Sequence, residues 1–269
     1  APWSQSFITP LIMEAAKNHE FIIEVEHLNM SYVTNDSLYN NMVEGVLKRY
    51  NNNKPDGIIM IGEASFGLID TIKSNWGDLP AILLGNLDKV GTMNYYLTGV
   101  QGDDTDDMLT PLAQLRNKYD LTFIESPFMY KETIDLIVKM NPQLTKLVFA
   151  ADALSANRHL SKNISNYLAS TYPAISYEWL VAGNDNSGRL LDYIKNHDEK
   201  LGFLFSSWFY SEEDVNGYPQ LVSGEYRAIP QAAQPVYALR EAYIADGILG
   251  GYFPDQKKIV DTLVSYVHK

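Results

Sequence analysis

Cysteine is absent from all 269 positions, which removes disulfides, thiolate nucleophiles and zinc–thiolate centres together. A chain without thiols has nothing to mispair in an oxidising bacterial periplasm, and that compartment is the expectation. Positive charge is short as well. Lys and Arg number 21 against 33 Asp and Glu, a net charge of −12, and the pI is about 4.8. Such a chain repels phosphate backbones and anionic lipid, so neither nucleic acid nor the membrane surface is an expected partner. No apolar run approaches the roughly 20 residues that cross a bilayer. The opening at Ala1, with neither Met nor signal peptide, reads as a mature or excised segment. Catalytic and phosphate-binding signatures are missing too: G-x-G-x-x-G, G-x-x-x-x-G-K-[ST], H-E-x-x-H and G-x-S-x-G do not occur. The five histidines (His19, His27, His159, His197, His268) are scattered without metal-ligand spacing. The acidic run from Asp103 to Asp107 lacks the glycine and terminal glutamate of a calcium loop and reads as a solvated loop.

What is present is a globular composition, 46% hydrophobic and 20% charged, with enough chain for two modest domains or one large one. Its grammar is clearest from Lys54 to Phe66. Pro55, Asp56 and Gly57 make a turn, Ile58 to Ile61 is an unbroken apolar run, and Gly62-Glu63-Ala64-Ser65 switches back to helix. A short apolar run bounded by turn residues is a strand covered on both faces, as in parallel sheets. Ligands of such sheets sit beyond the carboxyl ends of the strands.

The rest of the chain repeats the pattern. A helix is expected over 4–18, with Pro10 kinking it or starting its regular part, then a strand from Phe21 to Glu26 and an Asn35-capped helix to Tyr50. After Ile58–Ile61 come a helix from Phe66 to Asn75, a strand at Pro80–Asn86 and another at Tyr95–Val100. The stretch 101–127 reads as an elaboration with a helix from Met108 to Lys118 and a strand at Leu121–Ile124. A second set follows: helices at Lys131–Met140, His159–Ser170 and Gly188–Asn196, and strands at Lys146–Asp152, Ala174–Val181, Leu201–Ser207 and Gln234–Leu239. The polar stretch from Ser211 to Pro219 reads as a loop. A helix with Ile259, Leu263, Val264 and Val267 in register closes the chain. Alternating strand and helix at close spacing means βαβ units.

Several segments, in order, resemble one family: Pro2-Trp3 before a helix, Lys54-Pro55-Asp56-Gly57-Ile58-Ile59, Pro80 to Asn86, Leu97-Thr98-Gly99-Val100, Met140-Asn141-Pro142 before Lys146-Leu147-Val148, and Pro235-Val236-Tyr237 before Gly247 to Gly251. The chain resembles the type I periplasmic binding protein superfamily, and within it the extracytoplasmic sensor domains of bacterial, often hybrid, histidine kinases. The resemblance implies two Rossmann-like α/β lobes facing a central cleft, residues 1–100 with about 243–269 in the first and 101–242 in the second. It implies a non-enzymatic periplasmic sensor that closes on a small molecule, with no cofactor and with membrane contact only through flanking segments. Signalling across a membrane would suit a homodimer. Two departures stand out: the strand that usually precedes the Trp3 region has no counterpart here, and 101–127 is longer than the usual link.

The candidate contacts lie at strand ends. Glu63 and Ser65 follow one strand, Asn86 and Asp88 the next, Asp152 with Asn157 and Arg158 a third, and Ser206, Ser207 and Trp208 a fourth, while Tyr237 lies in the last. Trp3 and Ser4 open the first helix. Each polar residue has a plainer role open to it, as a helix cap or turn residue. Trp3, Trp179, Trp208 and Phe209 are aromatics of the kind that stack on a sugar face, and equally of the kind that fills a core. Trp179 alternates within a strand and is expected in the core. The expected ligand set is Trp3, Ser4, Glu63, Ser65, Asn86, Asp152, Arg158, Ser206, Trp208 and Tyr237, with a sugar as first choice of ligand and an amino acid second. Three other readings stay open: a freestanding solute-binding protein of an importer, an enzyme using Glu63 and Asp152 as an acid–base pair, and a degenerate cleft that binds a partner protein.

Overall fold

The structure is a computed structural model that describes residues 2–18, 21–28, 33, 35–92, 95–96, 109–152, 154–182, 184–196, 198–208, 210–213, 219–221, 225–241, 244 and 247–267. The chain is a mixed α/β protein with parallel sheets. It divides into two compact units, Ala1–Pro127 with Pro254–Lys269, and Phe128–Phe253.

The first unit opens with helix α1 (Pro2–Asn18), which runs through Pro10 at the loss of one interior backbone donor. Helix α2 (Asp36–Arg49) is capped by Asn35, whose side chain accepts from the Leu38 N–H at 3.0 Å. Strand β1 (Ile58–Ile61) ends at Gly62, where φ is +93°, a left-handed backbone open to glycine at no steric cost. A 3-10 turn over Glu63–Leu68 then runs into α3 (Ile69–Trp76), followed by β2 (Ala81–Gly85). β3 (Lys89–Gly91) and β4 (Leu109–Pro111) pair as a short antiparallel ribbon, and α4 (Leu112–Leu115) and β5 (Leu121–Glu125) follow. The sheet is parallel in the order β1-β2-β5.

Alternate residues of these strands serve opposite layers, as a period of two requires. Met60, Ala81 and Leu83 pack with Phe66, Ile69, Val90 and Leu112 on one face. Ile59, Ile61, Ile82, Leu84 and Ile124 meet Phe7 and Leu11 of α1 on the other, joined there by Ile259, Val260 and Leu263.

The second unit contains α5 (Tyr130–Met140), β6 (Lys146–Ala151), α6 (Ser155–Thr171), β7 (Ser176–Val181), α7 (Asn184–Lys195) and β8 (Leu201–Phe205). The ribbon β9 (Tyr210–Glu213) and β10 (Pro219–Leu221), a 3-10 stretch over Glu225–Gln231 and β11 (Val236–Ala238) complete it. Helix α8 (Gln256–Val267) then returns to the first unit. Four strands pair in parallel in the order β11-β8-β6-β7. Leu147, Val148, Phe149, Ala150 and Ala151 of β6 are all 0% exposed, which makes this strand the centre of the core. Burying each large side chain there is worth about 1.5–3 kcal/mol. Leu147, Phe149 and Ala151 pack with α5 and α6 through Ile134, Ile137, Leu160, Ile164 and Leu168. Val148 and Ala150 face the opposite layer, with Leu190 and Ile194 of α7 and Ile229.

The two units depart from the expected boundaries. β5 pairs with β2, so the stretch 101–127 belongs to the first unit as far as it is described, and the division falls after Pro127 rather than near residue 100. The return crossing lies at 253/254 instead of about 243. The segment from Phe21 to Glu26 joins neither sheet, although Ile23 packs against the first core. Tyr95 and Tyr96 take helical backbone where a strand was expected, and 97–108, with the acidic run, lie outside the described residues. In place of a helix from Met108 to Lys118 stand β4 and the four-residue α4. The loop expected from Ser211 to Pro219 begins and ends in the ribbon β9–β10.

Candidate functional site

In the second unit the chain steps from β6 to β7 on one side, then crosses back past β6 to β8 on the other. Right-handed crossovers in opposite directions put α6 and α7 on opposite faces of the sheet, as the two core layers require. The reversal leaves a switch point between the carboxyl ends of β6 and β8, where open α/β sheets receive ligands.

Four polar side chains meet there. Asp152 follows β6, Asn157 lies in the first turn of α6, and Ser206 and Ser207 follow β8. Their exposures are 0%, 4%, 0% and 8%. The Asn157 Nδ2 donates to Asp152 Oδ1 at 2.6 Å and to Ser207 Oγ at 2.8 Å. The Ser206 hydroxyl donates to Asn157 Oδ1 at 2.9 Å. The backbone N–H of Leu154 also points at Asp152 Oδ1, at 3.5 Å, and the positive end of α6 favours the carboxylate charge. The cluster ties β6, β8 and α6 together through side chains alone.

The carboxyl ends of the first sheet carry Glu63, Ser65, Asn86 and Ser126, each buried. Glu63 Oε1 accepts from the Leu87 N–H at 2.8 Å and from the Asn86 N–H, so this oxygen fastens the end of β1 to the turn after β2. A Cβ on Gly85 would lie 3.0 Å from the same oxygen. Ser65 Oγ donates to the Gly62 carbonyl at 2.6 Å within its own turn. The Tyr96 hydroxyl accepts from the Gly91 N–H at 2.9 Å, and burial together with the Glu63 charge pushes its pKa far up.

The other expected contacts fare differently. Trp208 is 0% exposed and packs in the core with Phe205, Ile229 and Val236, so it offers no open face for a sugar. Its indole N–H is buried without an acceptor among the described residues. Tyr237 is 5% exposed in β11 and faces the core layer of α5 and α6, where burial raises its hydroxyl pKa. Trp179 packs half-buried against that same layer from the edge strand β7. Arg158 stands half-buried beside Asn157 on α6, Ser4 is half-buried in α1, and Asp88 is exposed. The side chain of Trp3, and Phe209 altogether, lie outside what the structure describes.

Two residues at strand ends escaped the sequence reading. Ser126 directly follows β5, and the strand-end rule would have found it had that strand been placed in the first sheet. Arg240 stands two residues beyond the end of β11, with its guanidinium 4.7 Å from the Phe128 ring centre. Among the described residues no group of three His, Cys, Asp or Glu side chains could hold a metal ion, and no helix is long and apolar enough to cross a membrane. What the switch-point cluster can do is exchange hydrogen bonds with a small polar solute. Comparison with protein-family models, with curated proteins and with solved structures finds no match to this chain.

Proposed function

We propose that this chain is the extracytoplasmic ligand-binding domain of a membrane-bound two-component sensor histidine kinase, and that it recognises a small, sugar-like solute. The observation that carries the proposal is the buried cluster of Asp152, Asn157, Ser206 and Ser207 at the switch point of a doubly wound parallel sheet. Burying polar side chains costs free energy unless they are satisfied, and this cluster stands where such sheets bind their ligands. The resemblance to type I periplasmic binding proteins supplies the rest of the reading. The two units are the lobes of that fold, and a ligand signals by favouring their closed arrangement through its differential affinity. The domain is non-enzymatic, uses no cofactor and works on the periplasmic side, with the membrane reached through flanking segments and a homodimer passing the signal.

A thermal-shift screen of the purified domain against monosaccharides, disaccharides, amino acids and small carboxylates tests this. A solute at about a hundred times its dissociation constant stabilises the fold by roughly 2.7 kcal/mol. A shift confined to one chemical class, lost in Asp152→Ala, is the expected result. No shift anywhere in the panel would overturn the small-solute reading.

A further inference from the structure

The hydrogen bonds of the switch-point cluster run in one direction. Asn157 turns its NH2 group toward Asp152, whose Oδ1 accepts from it. The Asn157 Oδ1 is thereby committed to Ser206, which donates to it. The second amide proton goes to Ser207 Oγ. Ser207 thus uses an oxygen lone pair inside the cluster, and its own hydroxyl proton meets no acceptor among the described residues. At 8% exposure it is also the most open member of the four, the other three being 0% to 4% exposed. A hydroxyl donor left over at the outermost position of a buried hydrogen-bonded cluster is an unused recognition group.

We infer that Ser207 donates its hydroxyl proton to a neutral oxygen of the bound solute, a hydroxyl, ring or carbonyl oxygen, and that Asn157 is the positioning residue that makes it a donor. This deepens the small-solute reading above and rests on it. The members of the cluster are 0% to 8% exposed, so a neutral oxygen can take the Ser207 proton without bringing a charge into a buried site. The neutral, hydroxyl-bearing class is therefore preferred over amino acids and organic acids.

The test is a ligand-and-protein double cycle by isothermal titration. D-ribose, D-glucose, D-galactose and maltose are compared with L-glutamate, L-leucine and succinate on the wild-type domain. The best sugar is then compared with its single-deoxy analogues on wild type, Ser207→Ala and Asn157→Ala, each first shown to keep the native circular dichroism. Ser207→Ala is expected to weaken the sugar about fivefold to tenfold, the value of one neutral hydrogen bond. One deoxy analogue should bind wild type and Ser207→Ala equally, and Asn157→Ala should shrink the discrimination between sugar and that analogue. Equal binding of the sugar to wild type and Ser207→Ala would overturn the assignment while leaving the sensor reading intact. Preference for the carboxylates would overturn the ligand class. Silence across the whole panel would sink the sensor reading itself, and this inference with it.

Discussion

A Cβ on Gly251 would stand 2.1 Å from the carbonyl oxygen of Ala238. The two backbones approach this closely because residues 248–251 lie along the outer edge of β11, with Leu249 N–H bonded to the Val236 carbonyl at 2.8 Å and Ala238 N–H to the Gly250 carbonyl at 2.9 Å. Gly251→Ala has no flexible neighbour to displace and is expected to destabilise by about 1–3 kcal/mol or more. Gly188, inside α7, meets nothing within 4 Å at its Cβ position, so Gly188→Ala should stabilise by about 0.5–1 kcal/mol. Urea unfolding midpoints of the two variants should move in opposite directions.

Glu63 tests whether a strand-end carboxylate is structural. Glu63→Ala strips the acceptor from two backbone donors, those of Asn86 and Leu87, at an expected loss of about 1–3 kcal/mol. Glu63→Gln keeps an amide oxygen in the same place and should cost less. Were both variants to unfold at the wild-type urea concentration, the tie between β1 and β2 would carry no weight.

Trp208 separates packing from recognition. As a fully buried core residue, it should cost about 3–5 kcal/mol on truncation in Trp208→Ala. Loss of solute binding in that variant would then report unfolding, which near-ultraviolet circular dichroism without ligand would reveal. A Trp208→Ala domain as stable as wild type but unable to bind would restore the stacking role that its burial argues against.

The edge of the second sheet has a pH signature. Burial raises the Glu178 pKa, but the hydrogen bonds from Lys146 and Tyr193 and the charges of Lys146 and Arg189 outweigh it and leave the carboxyl below its ordinary value of 4.5. Lys146 lies 2.5 Å from Glu178, and Tyr193 donates to it at 2.8 Å. A carboxyl depressed in the folded state adds stability that is complete above its unfolded pKa and fades as pH falls through the folded one. Glu178→Gln should therefore be less stable than wild type at pH 7, with the gap closing below pH 4.5. A gap that stays constant from pH 7 to pH 3 would remove the ion pair from the account.

The strands that proved easiest to read were those covered on both faces. Ile58–Ile61, Ala81–Gly85, Lys146–Ala151 and Leu201–Phe205 are short apolar runs between turn residues, and that pattern survives without knowledge of partners. Phe21 to Glu26 misled for the opposite reason. Alternation reports one covered face, and Ile22, at 90% exposure, shows the other face open, but alternation names no neighbour to complete a ladder. The membership of Leu121–Glu125 in the first sheet is likewise non-local, since only its register against Ala81–Gly85 decides it. β3 and β4, three residues each, are too short to show a period. At the site, Asp152, Ser206 and Ser207 were legible as strand-end residues. The part Asn157 plays was not, because it depends on which way a helix presents one amide.

The first unit is interrupted in sequence and the second is not. Phe7 and Leu11 share a core layer with Leu263, so the first sheet cannot be sealed until nearly the whole described chain has been synthesised. The second unit is complete once residue 253 has emerged. During translation the order of assembly is thereby inverted. The middle of the chain can fold while its beginning waits with an apolar surface uncovered, and the residues that end that wait are the last turns of α8.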